Sequence, residues 1–283
     1  MKRSVETTGL CAGFLLPHPP VLIPVVGQGR EAEASATINA CREAAALIAR
    51  IKPETLVILS PHAPLFRDYV YVYNGSFLSG NFANFGASFP VMRFEQDTEF
   101  RTLLVNNLNK DGIQAGSLEK ETFGIPDTGK ELDHGVLVPL HFINEAYSSF
   151  KIVALASASY SVKDQYRIGV HIRKAADAAG RRVCIIASGD MSHKVNRESP
   201  YGAVREGALF DKALTDALRN SDTASLLTID PVLREKGAEC GYGSIVILCG
   251  AFDQVPLKTE LIGYEAPFGI GYCVASFIPE GEV

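Results

Sequence analysis

Residues 11–20 read CAGFLLPHPP and residues 55–64 read TLVILSPHAP, and these two stretches determine the class of fold. In each, an apolar run ends at a Pro-His pair. Short apolar runs of this kind are typical of buried strands, and the prolines that follow predict where the strands end. Residues 31–51, between the two runs, are rich in alanine and carry apolar residues at helical spacing. A strand, a helix and a second strand in this order predict a βαβ unit with parallel strands.

The same alternation continues along the rest of the chain. Further strands are predicted over residues 69–73, 151–157, 183–188, 257–265 and 271–277, and further helices over residues 97–110, 162–179, 203–219, 223–228 and from the turn at 237–243 to about 252. We therefore predict an α/β protein in which helices flank a central, mostly parallel sheet. A length of 283 residues is compatible with one such domain over 11–283, preceded by a flexible tail over 1–10.

Composition and charge exclude several classes of protein. The chain has 32 acidic and 27 basic residues, giving a formal net charge of −5, and no dense cluster of Lys or Arg. This balance argues against electrostatic binding of nucleic acid. The apolar runs have the length of strands, so we expect no membrane span, and the first residues lack the apolar segment of a signal peptide. The six cysteines form no CxxC pair, which favours a reducing, cytoplasmic location.

Three of the six histidines follow predicted core strands, namely His18, His62 and His193. In open α/β sheets the carboxyl ends of the strands border the ligand crevice, so these imidazoles are expected at one edge of the sheet. The matched Pro-His context of His18 and His62 favours a pair of metal ligands. The alternative is that each histidine only hydrogen-bonds a nearby backbone carbonyl group.

The residues alone do not determine the third ligand or the metal. Two imidazoles and a carboxylate are typical of non-haem Fe(II) oxygenases, whereas three protein ligands plus water also describe a hydrolytic zinc site. Candidates for the third ligand are Glu239, Cys240, Asp190 and Asp133. Glu239 opens a predicted helix, where an acidic residue is also favourable for purely structural reasons. A Cys240 thiolate would favour a softer metal such as zinc or copper.

Five short motifs, in order, resemble those of the class III extradiol dioxygenases of the LigB type, a group related to the Memo and AmmeMemoRadiSam proteins. The resemblance covers nearly the whole chain. Its motifs are Pro17-His18-Pro19-Pro20, Pro61-His62-Ala63-Pro64, Asp133-His134-Gly135, Gly189-Asp190-Met191-Ser192-His193 and Gly237-Ala238-Glu239.

This resemblance implies a LigB-like fold and Fe(II) bound by His18, His62 and Glu239. It also implies that His193 acts as the catalytic acid and base. His134, with Asp133 beside it, would line the pocket of a small aromatic diol whose ring is opened with O₂. A homodimer is expected as well. The alternative is a LigB- or Memo-like metal-binding protein without dioxygenase activity, either a zinc-type hydrolase or a partner-binding module.

Three further features have mainly structural interpretations. His141 lies in an apolar helix and is predicted to be structural, and His171 lies among basic residues and is predicted to be on the surface. The phenylalanine-rich segment 77–89 could form a lid over a pocket or a partner surface, and a plain packing role explains it equally well.

Overall fold

A six-stranded sheet lies at the centre of the computed structural model, which describes residues 9–118, 131–157 and 160–281. The strands of the chain are β1 (Gly9–Leu16), β2 (Thr55–Ser60), β3 (Val70–Tyr71), β4 (Phe77–Phe82), β5 (Ala87–Glu95), β6 (Ala115–Gly116), β7 (Lys151–Ala156), β8 (Arg182–Ser188), β9 (Leu257–Glu265) and β10 (Tyr272–Pro279). The order of strands in the central sheet is β7-β2-β8-β1-β10-β9.

The central sheet is mixed. Strands β7, β2, β8 and β1 run parallel to one another, as predicted, whereas β10 pairs antiparallel with both β1 and β9. The antiparallel part has a simple cause, because only residues 266–271 connect β9 to β10. A connection of that length closes a hairpin but cannot make the crossover that a parallel pair needs.

Helices cover both faces of the sheet, so the protein is a single α/β domain. They are α1 (Pro24–Gly27), α2 (Ser35–Ile51), α3 (Thr98–Lys110), α4 (His134–Ala146), α5 (Val162–Ala179), α6 (Arg205–Arg219), α7 (Thr223–Leu227), α8 (Pro231–Gly237) and α9 (Tyr242–Ala251). Because successive strand residues point to opposite faces, Leu15 belongs to the part of the core that includes residues of α3, α5, α6 and α9, whereas Phe14 and Leu16 belong to the part that includes residues of α2 and α4. Within the described ranges, no helix is both long enough and apolar enough to cross a membrane.

Two small sheets lie outside the central one. Strands β3 and β6 form a parallel pair, and β4 and β5 form an antiparallel hairpin that includes the phenylalanine-rich segment 77–89. The tip of this hairpin is a single turn of 3₁₀ helix, Ala83–Phe85. The hairpin contacts the beginning of α4, which brings it near the carboxyl edge of the parallel strands.

The structure differs from the sequence prediction at several places. Strand β1 includes Gly9 and Leu10, which were assigned to the tail, and α8 was not predicted. His171 was predicted to be on the surface, but that is wrong: the side chain is buried, and its Nε2 lies 2.9 Å from Oδ2 of Asp111. Packing of α3 against α5 brings Asp111 to His171, and a helix pattern taken alone does not reveal that contact.

Candidate metal centre

The three strand-ending histidines meet at one edge of the central sheet. Strand β8 lies between β2 and β1, and the three strands are parallel. His18 follows β1, His62 follows β2 and His193 follows β8, so the chain leaves three neighbouring strands at the same edge. This is the position at which open α/β sheets bind ligands, as the sequence predicted.

Three potential ligand atoms converge at this edge. The Nε2 atoms of His18 and His62 lie 3.0 Å apart, and Sγ of Cys240 lies 3.5 Å from Nε2 of His18. All three atoms lie within 4.8 Å of one another. Around a tetrahedral ion with bonds of about 2.0–2.1 Å to nitrogen and about 2.3 Å to sulfur, neighbouring ligand atoms are separated by about 3.3–3.6 Å. The donor set therefore fits a transition-metal ion with small adjustments of the side chains.

Cys240 reaches the histidines because two glycines allow its loop to approach β8. A Cβ atom built on Gly189 would lie 2.0 Å from Cα of Gly241, so no larger residue fits at the end of β8. The backbone N–H groups of Cys240 and Gly241 both donate to the carbonyl oxygen of Asp190. The backbone N–H of Asp190 in turn lies 3.3 Å from Sγ of Cys240, toward which it donates.

Hydrogen bonds fix the orientation of His18. Nδ1 of His18 lies 2.9 Å from Oγ of Ser188, and this hydroxyl group donates to the carbonyl oxygen of Gly135 at 2.6 Å. Because the single hydroxyl hydrogen of Ser188 is used in that way, Nδ1 of His18 must be the donor to Oγ. Nε2 of His18 then carries the lone pair, and it is the atom that faces His62 and Cys240. Such a second hydrogen bond is usual for histidines that bind metals.

A polar network connects His62 to the first turn of α4. The backbone N–H of His62 donates to Oγ of Ser60, and the Ser60 hydroxyl donates to Oδ1 of Asp133 at 2.6 Å. Asp133 also caps α4 by accepting from the backbone N–H groups of Gly135 and Val136, and its Oδ2 accepts from the hydroxyl of Tyr73 at 2.7 Å. The protein itself therefore engages both oxygens of the predicted substrate-binding residue Asp133.

His134 and His193 lie close to His18 and His62. The His134 ring lies 4.1 Å from that of His62 and 5.5 Å from that of His18, measured between centroids. His193 stacks on Tyr201 with a centroid distance of 5.6 Å. His193 also acts electrostatically on His18, so the structure gathers His18, His62, His134 and His193 around one region.

The surroundings keep the histidines neutral. Burial is the main cause that lowers the pKa of His18 well below its usual value, and the neighbouring histidines lower it further. Burial likewise lowers the pKa of His62, of His193 and of His134, the last to about 4. Neutral imidazoles offer lone pairs, which is the form that binds metal ions. Burial raises the pKa of the Cys240 thiol well above its usual value, so binding of a cation must displace the thiol proton.

Glu239, the predicted carboxylate ligand, has a different environment. Its Oε2 accepts from the backbone N–H of Tyr242 at 2.7 Å, in the first turn of α9. Among the described residues, the group with ligand atoms close enough to share an ion contains Cys240 and not Glu239. Burial raises the pKa of Glu239, while the backbone N–H groups of Tyr242 and Gly241 and the charge of Arg234 oppose that increase. The carboxylate thus acts as a helix-end acceptor in this structure.

Several supporting residues were not predicted from the sequence. Ser60 and Ser188 each end a strand just before a predicted site segment, and this shared position is the signal that could have revealed them. Tyr73 and Phe85 belong to segments distant in sequence, and only the folded chain brings them to Asp133 and His134. No local pattern marks Tyr73, whereas Phe85 belongs to the phenylalanine-rich segment 77–89, for which a lid over a pocket was one interpretation.

Comparisons with known proteins agree with the fold. Residues 12–275 match the family described as the catalytic LigB subunit of aromatic ring-opening dioxygenase. A protein of Clostridium acetobutylicum is 33% identical over 92% of this chain, which spans 56% of that relative's length. The 2-aminophenol 1,6-dioxygenase beta subunit of a Pseudomonas species is 22% identical over 95% of this chain and 93% of its own length.

Other similar proteins have names that state no activity. A MEMO1 family protein of Archaeoglobus fulgidus is 23% identical over 75% of this chain and 68% of its own length. The crystal structure of an uncharacterized protein from Escherichia coli K12 superposes with a TM-score of 0.54 at 14% identity, covering 95% of this chain and 99% of that one. This structural likeness concerns the fold alone. The match over residues 12–275 establishes that the chain belongs to the LigB family of aromatic ring-opening dioxygenase catalytic subunits.

Proposed function

We propose that this chain is a metal-dependent oxidoreductase that opens the ring of a small aromatic diol or aminophenol with O₂, using Fe(II). The observation that carries the proposal is the convergence of Nε2 of His18 and Nε2 of His62, 3.0 Å apart, with two more neutral histidines beside them. Support also comes from the LigB family and from the similarity to a 2-aminophenol dioxygenase subunit. A homodimer and a cytoplasmic location stay predictions from the sequence.

The residues of the chain have distinct roles in this proposal. A bound iron ion would supply the redox chemistry with O₂ and a Lewis acid for the substrate oxygens. His18 and His62 hold the ion, with Cys240 or Glu239 as the third ligand. His193, which is neutral near pH 7, accepts the proton of a substrate hydroxyl group and later returns a proton to the product. His134 hydrogen-bonds to the substrate, and Asp133 keeps His134 in place.

A second candidate function is metal binding without ring opening, and the position of Cys240 favours it. Its Sγ lies 3.5 Å from Nε2 of His18, so the nearest donor set is two imidazoles and a thiol. Thiolate ligands favour softer ions such as zinc or Cu(I) over the oxygen-rich sites of harder ions. The MEMO1 family relatives, whose names state no reaction, are compatible with this alternative.

Anaerobic reconstitution separates the two candidates. The full chain is loaded with Fe(II) or with Zn(II), the metal content per chain is measured, and O₂ uptake is followed with catechol and 2-aminophenol. The first proposal predicts O₂ uptake and a ring-opened product with iron. It predicts a loss of activity of at least about 100-fold in His193→Ala and normal activity in His171→Gln, a variant of the histidine in α5 that contacts Asp111. Fully iron-loaded protein that consumes no O₂ with either substrate would contradict it and favour the second candidate.

A further inference from the structure

An exposed phenylalanine at the tip of the β4–β5 hairpin contacts the site. The Phe85 ring lies 5.0 Å from the ring of His134, centroid to centroid, with planes inclined at 71°. This is the edge-to-face geometry that aromatic pairs prefer. Phe85 nevertheless keeps 40% of its surface exposed. A large apolar side chain that contacts a site histidine and still faces open space is available to contact a ligand.

The position of Phe85 is determined by how the hairpin joins α4. The backbone N–H of Leu132 donates to the carbonyl oxygen of Ser79 at 2.8 Å, directly before the His134 segment. At Gly80 a Cβ atom would lie 2.6 Å from the carbonyl oxygen of Leu132, so the close approach of the hairpin requires glycine there. The hairpin is thus attached to the residues that precede His134, and its tip lies over that ring.

Phe85 adds an apolar surface beside the polar side chains of the site. His18, His62 and His134 present imidazole rings to one another, and Asp133 and Ser60 form hydrogen bonds behind them. A flat apolar ligand held beside His134 would cover exposed surface of the Phe85 ring, whereas a small polar ligand would not reach it. Burial of aromatic surface and ring–ring contact each favour the first kind of ligand.

We propose that Phe85 is a specificity-determining residue: it forms the apolar wall of the metal site and selects ligands that have a flat aromatic face. This inference rests on the proposed function only in requiring a metal ion at His18 and His62. It concerns the binding of ligands, so it applies equally if the site does not open rings.

The test compares two oxygen chelators on zinc-loaded full-length protein. One is 4-nitrocatechol, which has an aromatic ring, and the other is acetohydroxamate, which does not. Dissociation constants are measured by calorimetry for the wild type, Phe85→Ala, Phe85→Tyr and Phe77→Ala. Phe77 is the matched control, since it is 45% exposed and lies at the base of the same hairpin, where it packs on Arg93.

We expect Phe85→Ala to weaken 4-nitrocatechol binding about three- to ten-fold, the size of a lost aromatic contact, and to leave acetohydroxamate binding within about two-fold. Phe85→Tyr keeps the ring and should bind both chelators like the wild type, as should Phe77→Ala. If Phe85→Ala weakens the binding of both chelators equally, or weakens the binding of neither, the inference about Phe85 is overturned. The proposed metal site is not contradicted by either result. Wild-type protein that takes up no zinc would overturn both the inference and the proposed metal site.

Discussion

The hydrogen bonds around His18 determine which ring nitrogen can bind a metal ion. Ser188 gives its hydroxyl hydrogen to the carbonyl oxygen of Gly135, so its Oγ can only accept from Nδ1 of His18. The lone pair of His18 is thereby directed from Nε2 toward His62 and Cys240. Ser188 is thus a positioning residue that acts through His18.

Removal of the Ser188 hydroxyl should therefore weaken metal binding. We expect Ser188→Ala to lower the zinc affinity by about 10- to 100-fold, the usual range for a lost partner of a ligand histidine. Competition with a chromophoric chelator measures the affinity. Ser276→Ala removes another buried serine of the same sheet and should leave the affinity unchanged. A well-folded Ser188→Ala protein with wild-type affinity would show that Ser188 does not orient His18.

At the scale of elements, the first turn of α4 connects the site to the rest of the fold. Asp133 caps the helix and also accepts from the hydroxyl groups of Ser60 and Tyr73. Through Ser60 the same carboxylate supports the backbone of His62. One helix end thus positions His134 directly and His62 indirectly.

Loss of this cap should affect both stability and the site. We expect Asp133→Ala to lower the free energy of unfolding by about 1–3 kcal/mol, since a cap and two further hydrogen bonds are lost, and to weaken zinc binding as well. Asp222→Ala is the matched control, because Asp222 caps α7 by accepting from the backbone N–H of Ser225. It should lower the stability by about 1 kcal/mol and leave zinc binding unchanged. Urea denaturation and chelator competition measure the two effects. Equal zinc affinity in both variants would contradict the role of Asp133 at the site.

For the whole molecule, the fold was largely predictable, whereas the directions of the Glu239 and Cys240 side chains were not. The alternation of apolar runs and helical patterns identified the strands β1, β2, β7 and β8 and the helices between them. The predicted ends of the strands placed the three histidines at one edge of the sheet. The antiparallel pairing of β9 and β10 depends on a tertiary arrangement that periodicity does not describe. A pattern within one segment predicts a strand or helix, but not its neighbours.

The choice between Glu239 and Cys240 illustrates this limit. The two residues are adjacent, so the same glycine-rich turn and predicted helix start apply to both of them. Their side chains nevertheless point in different directions. The direction follows from the close contact of Gly189 with Gly241 and from the start of α9, where Glu239 accepts the Tyr242 N–H. Neither contact is visible in the spacing of the residues.

A buried acid in α6 should make the stability of the whole domain depend on pH. Asp211 in α6 accepts from the backbone N–H of Ser192 and from the hydroxyl of Tyr264. Burial raises its pKa from 3.8 to about 7, with a smaller increase from Glu239, and the two hydrogen bonds oppose this change. The folded state therefore binds the proton more tightly than the unfolded state. The resulting stabilisation is complete below about pH 4 and is lost as the pH rises through about 7.

Asp211→Asn removes this titration while keeping the shape of the side chain. The free energy of unfolding of Asp211→Asn minus that of the wild type should increase by a few kcal/mol between pH 5 and pH 8. The expected slope is about 1.4 kcal/mol per pH unit at pH values below the raised pKa of Asp211. Denaturant unfolding at both pH values measures this. Asp216→Asn, on the exposed face of the same helix, should show no such increase. A constant difference between Asp211→Asn and the wild type would contradict the argument.

Of the two candidate third ligands, Cys240 is the one with a ligand atom close to both histidines, so the central proposal is that His18, His62 and Cys240 hold one metal ion together. X-ray absorption of the zinc-loaded full chain tests it directly, because a thiolate ligand gives a sulfur scatterer at about 2.3 Å that nitrogen and oxygen ligands cannot mimic. We predict one such sulfur in the wild type and in Glu239→Gln, and its loss in Cys240→Ser. A wild-type spectrum with only nitrogen and oxygen neighbours at about 2.0–2.2 Å would contradict the claim and favour Glu239 as the third ligand.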